Sequence, residues 1–414
     1  MYNYSRNCIK CAHTRRLHPG LCIIIHFALF FVSCSHSSVV ELPIRGYAKT
    51  SVNTVIFRNA ITSNSEYQFI AYYDSVGSVI LAKRELDSED FEIKETALKG
   101  NVNDAHNSIS IIVDGEDYLH LCYNQHFTEL NYYRNIKPGS LDLIKIPMTG
   151  KENNVTYPQF FIYENDLLFI CREGHGLVIN RYDTKTQTWS RLQDNILQNA
   201  YWQTCVVNDT IYLSWCWRET ADVSSNHDIC FAKSADGKSW YKTNNEQYQL
   251  PITQETAEYA MRITQNSGLM NQTSMSIDSK GNPYIATYIH SDYYLIYLDN
   301  QTWQIEQITD RRAKFELSGI GTKRVPISRP LILIDKEDKI YLVFRDENKL
   351  FLAKKNDKWK TESIYDSVGY YEPCYDKESW SRNNELNLFI QRVGQGDNEA
   401  LDTLRAQKVI IKVI

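Results

Sequence analysis

The sequence carries no excess of positive charge. Its 45 Lys and Arg residues are outnumbered by 50 Asp and Glu, leaving a net charge of −5 at pH 7 over 414 residues. That balance offers no basic field to a nucleic acid, and it mildly repels a polyanion unless Arg and Lys gather locally. A membrane-length apolar run is missing as well. The longest, Leu21 to Val32, falls short of the roughly 20 residues that a hydrocarbon core demands. Nor is there a disulfide framework. Of ten Cys, Cys8, Cys11, Cys22 and Cys34 sit near the N-terminus, and Cys122, Cys171, Cys205, Cys216, Cys230 and Cys374 are scattered. Cys122, Cys171, Cys216 and Cys230 lie in apolar strand-like runs, where a free thiol behaves as a small hydrophobe. Cys216, His227 and Cys230 match no familiar zinc spacing. Helix signals are nearly absent, the one candidate being Thr253 to Ile263 in the longest stretch between strands.

At the N-terminus, Arg15 and Arg16 precede the apolar run, which stops at Ser33-Cys34 before a polar Ser-His-Ser-Ser. This reads as an export signal. Phe31-Val32-Ser33-Cys34 resembles a bacterial lipobox, which predicts Cys34 as the acylated first mature residue. The expected organisation is a signal peptide over 1–34 and one domain over 35–414. That domain is expected outside the cytoplasm, in the periplasm or at the cell surface, with a lipid anchor as its only membrane contact.

Hydrophobic residues make up 43% of the chain, enough for a large core, and 28 Tyr and 8 Trp favour strands and flat faces against which sugars pack. A unit recurs along the chain: an alternating strand, a turn with Asp, Asn or Gly, an aromatic strand, then a third strand often closed by Trp. Copies run from Asn53 to Arg84, Ser108 to Arg134, Tyr157 to Trp189, Gln203 to Trp240, Thr273 to Trp303, Ser328 to Trp359 and Glu372 to Arg392. A period of some 40 to 55 residues indicates propeller blades, since no unit can bury both faces alone and radial stacking solves that problem. The prediction is an all-β, seven-bladed β-propeller of antiparallel four-stranded blades. The run Val409 to Ile414 is expected to close the ring with the first blade. Ser234 to Trp240 (SADGKSW) resembles the Asp-box turn of sialidase-like repeats, a mark of fold that carries no catalytic group.

The chemistry-bearing residues begin with Ala105-His106-Asn107-Ser108-Ile109-Ser110. His106 opens a strand and His126 ends the next, in Cys122-Tyr123-Asn124-Gln125-His126, so a hairpin would return both His to one face. Trp215-Cys216-Trp217-Arg218-Glu219-Thr220 and Asn226-His227-Asp228 bracket a polar loop two blades on.

Together with the strand Asn131-Tyr132-Tyr133-Arg134, these segments resemble the BNR-repeat family that includes the ulvan lyases, over roughly residues 50 to 300. The resemblance implies an active site of two His, a Tyr and an Arg. By motif position these are His106, His126, Tyr157 from Thr156-Tyr157-Pro158-Gln159, and Arg172 from Cys171-Arg172-Glu173-Gly174. Such a set suits β-elimination on a uronate glycan, ulvan-like or built of rhamnose and glucuronate. Arg172 would bind the carboxylate and stabilise the charge that spreads onto it. His106 or Tyr157 could be the base; the favoured assignment makes His106 the base and Tyr157 the acid, with His126 positioning the sugar or tuning its neighbour. Substrate contacts are expected from Asn107, Trp217, Arg218, Asn226 and His227, with Trp217 stacking on a sugar ring. In the competing arrangement Arg218, Glu219 and Asp228 tie neighbouring blades together.

No cofactor and no catalytic metal is required, because Arg can neutralise the carboxylate. A structural Ca²⁺ or Zn²⁺ is compatible with the sequence. Two other classes fit the same residues. A glycoside hydrolase of the sialidase or rhamnosidase type would draw on Glu173, Glu219 and Asp228, although no clean Arg triad is visible. A non-catalytic carbohydrate-binding lipoprotein would use the aromatic and Arg groups for binding alone.

Overall fold

A computed structural model describes residues 37–56 and 58–414. The leader and its lipobox lie outside the described residues. Among the described residues, no helix is long and apolar enough to cross a membrane.

The expected seven-bladed propeller is what the chain forms: seven antiparallel sheets, each with at least four strands. In chain order, the inner strands that blades 1 to 7 build from their own segments are Ile61–Ser63, Ile109–Val113, Val155–Tyr163, Ala200–Val207, Ser274–Ile277, Leu331–Ile334 and Cys374–Tyr375. Position in the blade is written into each strand's pattern. The inner strands of blade 2, ISIIV and LHLCY, are buried at every residue, whereas Glu92–Lys99 (EIKETALK), outermost in blade 1, is mostly exposed with a period-two alternation. A strand covered on both faces needs an unbroken apolar run; one at the rim needs a single apolar face.

Seven apolar cores lie between neighbouring blades. Phe69, Leu81, Ile111 and Leu121 join blades 1 and 2, and Ile61, Ile80, Phe389 and Ile411 join blade 7 back to blade 1. Each buried Leu, Ile or Phe side chain contributes roughly 1.5–3 kcal/mol. Among the described residues the six Cys are free thiols, and five of them are buried as small hydrophobes. Cys230 faces the core between blades 3 and 4, and Cys216 faces the next core on the opposite side of its sheet, so the two cannot share an ion with His227. In the Asp-box, Asp236 Oδ1 accepts from the amides of Lys238 and Ser239 at 2.8 and 2.7 Å, and Trp240 is buried.

Three expectations need correction. The ring closes at blade 7 rather than blade 1: Val409–Val413 pairs with Asn387–Gln391 on one side and with the N-terminal strand Ser38–Glu41 on the other. The segment 253–263 forms a turn and the edge strand Glu258–Met261, and the α-helix is Lys377–Asn383. Asp376 caps that helix by accepting from Ser379 N, and Asn384 ends it at φ +55°, signals too short to register as periodicity. The Trp residues that end the repeat units, Trp189, Trp303 and Trp359, open the fourth strand of their blades instead of closing the third.

Candidate functional site

On one face of the disc, two irregular segments build the site. The first is the turn 101–107 that leads into blade 2. Asp104 Oδ1 accepts from His106 N at 2.9 Å, and Asn107 N donates to Asp104 O at 3.1 Å, so the turn holds the Asp104 carboxylate beside the His106 ring. The second is a loop that leaves blade 2. Its strand His126–Thr128 joins the inner edge of blade 3, pairing with Val155 and Thr156. His126 therefore reaches His106 from a fifth strand of the next blade, and not by a simple hairpin.

The two imidazoles stack with centroids 4.1 Å apart and planes 17° apart. Both turn Nδ1 to Asp104: His106 lies 2.6 Å from Oδ1 and His126 2.5 Å from Oδ2. Burial pushes the Asp104 carboxyl up, but the hydrogen bonds from His106 and His126 outweigh it and hold the group far below the usual carboxylate range.

Tyr157 stands next to this stack, its ring 5.9 Å from His106. It occupies an irregularity in the inner strand of blade 3, where register is lost between Thr156 and Gln159, and its φ is +59°. A bulky residue in that region costs about 1–3 kcal/mol and is found where the fold must re-aim a side chain. Burial and the neighbouring Tyr201 phenol lift the Tyr157 hydroxyl well above the usual phenol range, against the pull of Arg172, Arg329 and Arg218.

The Arg172 guanidinium lies between the rings of Phe127 and Tyr157, 4.8 Å from each, with Tyr201 at 5.9 Å. Its Nε is buried without a hydrogen-bond partner. The ion pairs among the described residues do not include Arg172. His106, His126, Tyr157 and Arg172 thus meet in one cluster, closed by Phe127, whose ring is 5.4 Å from His126. Phe127 is 46% exposed at φ +52°, an aromatic held out at the rim of the site. The sequence reading passed over Phe127, Asp104 and Tyr201.

Beside His106 and Tyr157 a small cavity of about 60 Å³ is lined by Arg218, Asn271, Gln272, Lys323 and Arg329, among others. Arg329 is committed to Glu372 through bonds of 2.8 and 2.6 Å, and it donates to Gln272 Oε1 at 2.6 Å. Arg218 reaches Tyr201 Oη at 3.1 Å and Asn271 Oδ1 at 3.3 Å. A strap, residues 315–325, passes over this cavity. Val223 N donates to Gly319 O and Gly319 N to Asp222 Oδ1, while Thr322 N and Oγ1 both donate to Glu399 Oε1.

The remaining sequence candidates lie elsewhere. Trp217 is 3% exposed and packs with Trp215 in the core between blades 3 and 4, leaving no ring face for a sugar. The Asn107 side chain is buried and donates to Asn101 O. Asn226 is also buried, donating to Leu269 O and Asn271 Oδ1, and so supports the cavity wall from behind. His227 is held by Glu219 at 2.8 Å and Asp228 at 3.0 Å, in a network that continues to Arg262. Glu173 is bonded to Arg191, and Glu219 and Asp228 are both taken up by His227.

Asp104, His106 and His126 also bring three potential metal-ligand atoms within 4.8 Å of one another. Face-stacked rings aim their Nδ1 atoms side by side at separate carboxylate oxygens instead of converging on one point, which suits proton sharing better than coordination.

Comparison with known proteins adds the following. Among solved structures, the polysaccharide lyase Uly1 superimposes with TM-score 0.67 at 13% identity, covering 91% of this chain and 98% of that one. An ulvan lyase of a new polysaccharide lyase family, bound to -[GlcA(1-4)Rha3S]-, gives 0.66 at 12% identity, over 89% of this chain and 95% of its own. The BP39L lectin from Burkholderia pseudomallei gives 0.53 at 8%, over 84% and 95%. At these identities the likeness speaks for the fold alone. No curated protein matches in sequence. The pattern of the BNR repeat-containing family, however, matches residues 67–311, more than half the sequence, and the chain belongs to that family.

Proposed function

We propose that the chain is a polysaccharide lyase that cleaves a uronate-containing glycan, ulvan-like or built of rhamnose and glucuronate, by β-elimination. One observation carries the reading: Arg172 is a cation without an ion-pair partner among the described residues, held by three aromatic rings beside two His and a buried Tyr. A uronate carboxylate supplies the missing anion, and guanidinium binds it bidentately.

The steps then fall to groups already in place. Arg172 stabilises the charge that spreads onto the carboxylate as C5 loses its proton. His106, with Nδ1 bonded to Asp104, has Nε2 left to take that proton. The electron pair forms the C4–C5 double bond and the C4–O bond breaks. Tyr157 protonates the departing oxygen, a role that fits a phenol whose burial keeps it protonated at neutral pH. Two structural neighbours are described as polysaccharide lyases, one of them bound to a glucuronate–rhamnose sulfate unit, which supports the substrate class. An exported, lipid-anchored protein would meet such a glycan outside the cell.

The test is ultraviolet absorbance during incubation with a panel of uronate polysaccharides, with His106→Ala as control. A rise from unsaturated uronate, lost in the control, is the expected result. Reducing ends without absorbance would mean hydrolysis, and binding without product would mean a lectin.

A further inference from the structure

We propose that Asp104 is a positioning residue that clamps His106 and His126 in one tautomer, each ring giving Nδ1–H to a separate carboxylate oxygen and keeping Nε2 for proton transfer. The proposal rests on the lyase reading only for its kinetic consequences.

The geometry sets the proton inventory. An ionised carboxylate can only accept hydrogen bonds, so each imidazole must present Nδ1–H to Asp104. Both Nε2 atoms then face away from the carboxylate, each able to hold a proton or to take one. Asp104 is itself fixed, because its Oδ1 also accepts the backbone N–H of His106. The stack, 4.1 Å between centroids, holds the two rings in register on the one carboxylate.

The surroundings act in the same sense. Glu399 Oε1 lies 3.7 Å from His106 Nδ1, but it is already taken up by Thr322. Arg218, Lys323 and Arg329 line the cavity alongside His106 and Tyr157, Arg172 lies behind Phe127, and His175 stands 6.4 Å from the Phe127 ring. The Arg and Lys groups can only donate, which leaves Asp104 to accept from both rings. In elimination His106 takes the C5 proton at Nε2, and the imidazolium so formed returns a proton to the phenolate that Tyr157 becomes when it protonates the departing oxygen.

The decisive experiment follows the imidazole ¹⁵N signals of His106 and His126 against pH in the full chain, beside the kcat and KM profiles of wild type, Asp104→Asn and Asp104→Glu. The expected wild-type result is the Nδ1–H tautomer in both rings. In Asp104→Asn the tautomers mix, kcat falls roughly 100-fold with KM little changed, and the pH optimum moves; Asp104→Glu recovers part of the loss. Nε2–H tautomers in the wild type would overturn the proposal. So would an Asp104→Asn enzyme with unaltered tautomers and pH profile. If that variant does not fold, the wild-type tautomers decide alone. The nitrogen signals need no glycan, so a clamped pair in a protein that eliminates nothing discards the lyase reading and leaves the clamp standing. Elimination by rings in the Nε2–H tautomer does the reverse.

Discussion

Arg172 stands among aromatic rings that desolvate it without neutralising it, so its removal should reach catalysis before stability. Arg172→Ala is expected to lower kcat/KM for a uronate glycan by roughly 10²- to 10³-fold with little change in melting temperature. Arg172→Lys should fall between, because an ammonium keeps the charge but loses the planar fit between Phe127 and Tyr157. A different titration belongs to Glu378 on the opposite side of the fold. Burial, reinforced by Asp376, pushes its carboxyl up to about 7, while its Oε2 accepts from Thr62. A raised carboxyl is protonated in the folded chain and ionised in the unfolded one. Its stabilisation is present below the ordinary Glu range and is lost as pH climbs from about 4.3 to 7. Glu378→Gln should therefore flatten that decline and stabilise the protein above pH 7 by about 1–3 kcal/mol, read from urea unfolding at pH 5 and pH 8. At this scale the sequence was legible where chemistry is local: the two His, Tyr157 and Arg172 do converge. It misled at Trp217, because a dense run of aromatic and polar residues does not say which face its strand buries. Asp104 was passed over because an Asp two residues before a His reads as an ordinary turn.

Among the elements, the strap over the cavity is tied at both ends. It meets the blade 4 loop at Asp222 and Val223 and the blade 7 loop at Glu399, and between them Leu317 and Val325 form a small apolar cluster with Val223. Gly319 and Gly321, at φ +86° and +70°, allow the turns that bring it there. Cutting the blade 4 tie should loosen the strap and not the fold. Asp222→Ala is expected to speed amide hydrogen exchange at Gly319 and Val223 while leaving exchange in Ile109–Val113 unchanged. The blades themselves could be read from the sequence because burial on both faces writes long apolar runs at a regular interval. The strap and the strand His126–Thr128 could not, since each is positioned by partners far along the chain and neither has a periodicity of its own. Phe127 shares that fate: its exposure follows from where the added strand lies, with Thr156 Oγ1 accepting its amide at 3.0 Å.

The whole ring depends on Ser38–Glu41, which completes blade 7 from the other end of the chain. Val40 is buried there between exposed neighbours, so Val40→Asp should detach the strand, cost about 3 kcal/mol and lower the melting temperature of the whole propeller in one transition. Closure was anticipated from the last strand; its exact partner was not, because an alternating run does not name the edge it will join. The site inherits this dependence. His106 enters ahead of blade 2, His126 and Arg172 belong to blade 3, Arg218 to blade 4, Arg329 precedes blade 6, and Glu399 and Glu372 come from around blade 7. No arc of the ring holds the full set. If the chain is the lyase proposed, a partly assembled disc is chemically silent, and turnover becomes a report, available from outside the molecule, that the last blade has met the first.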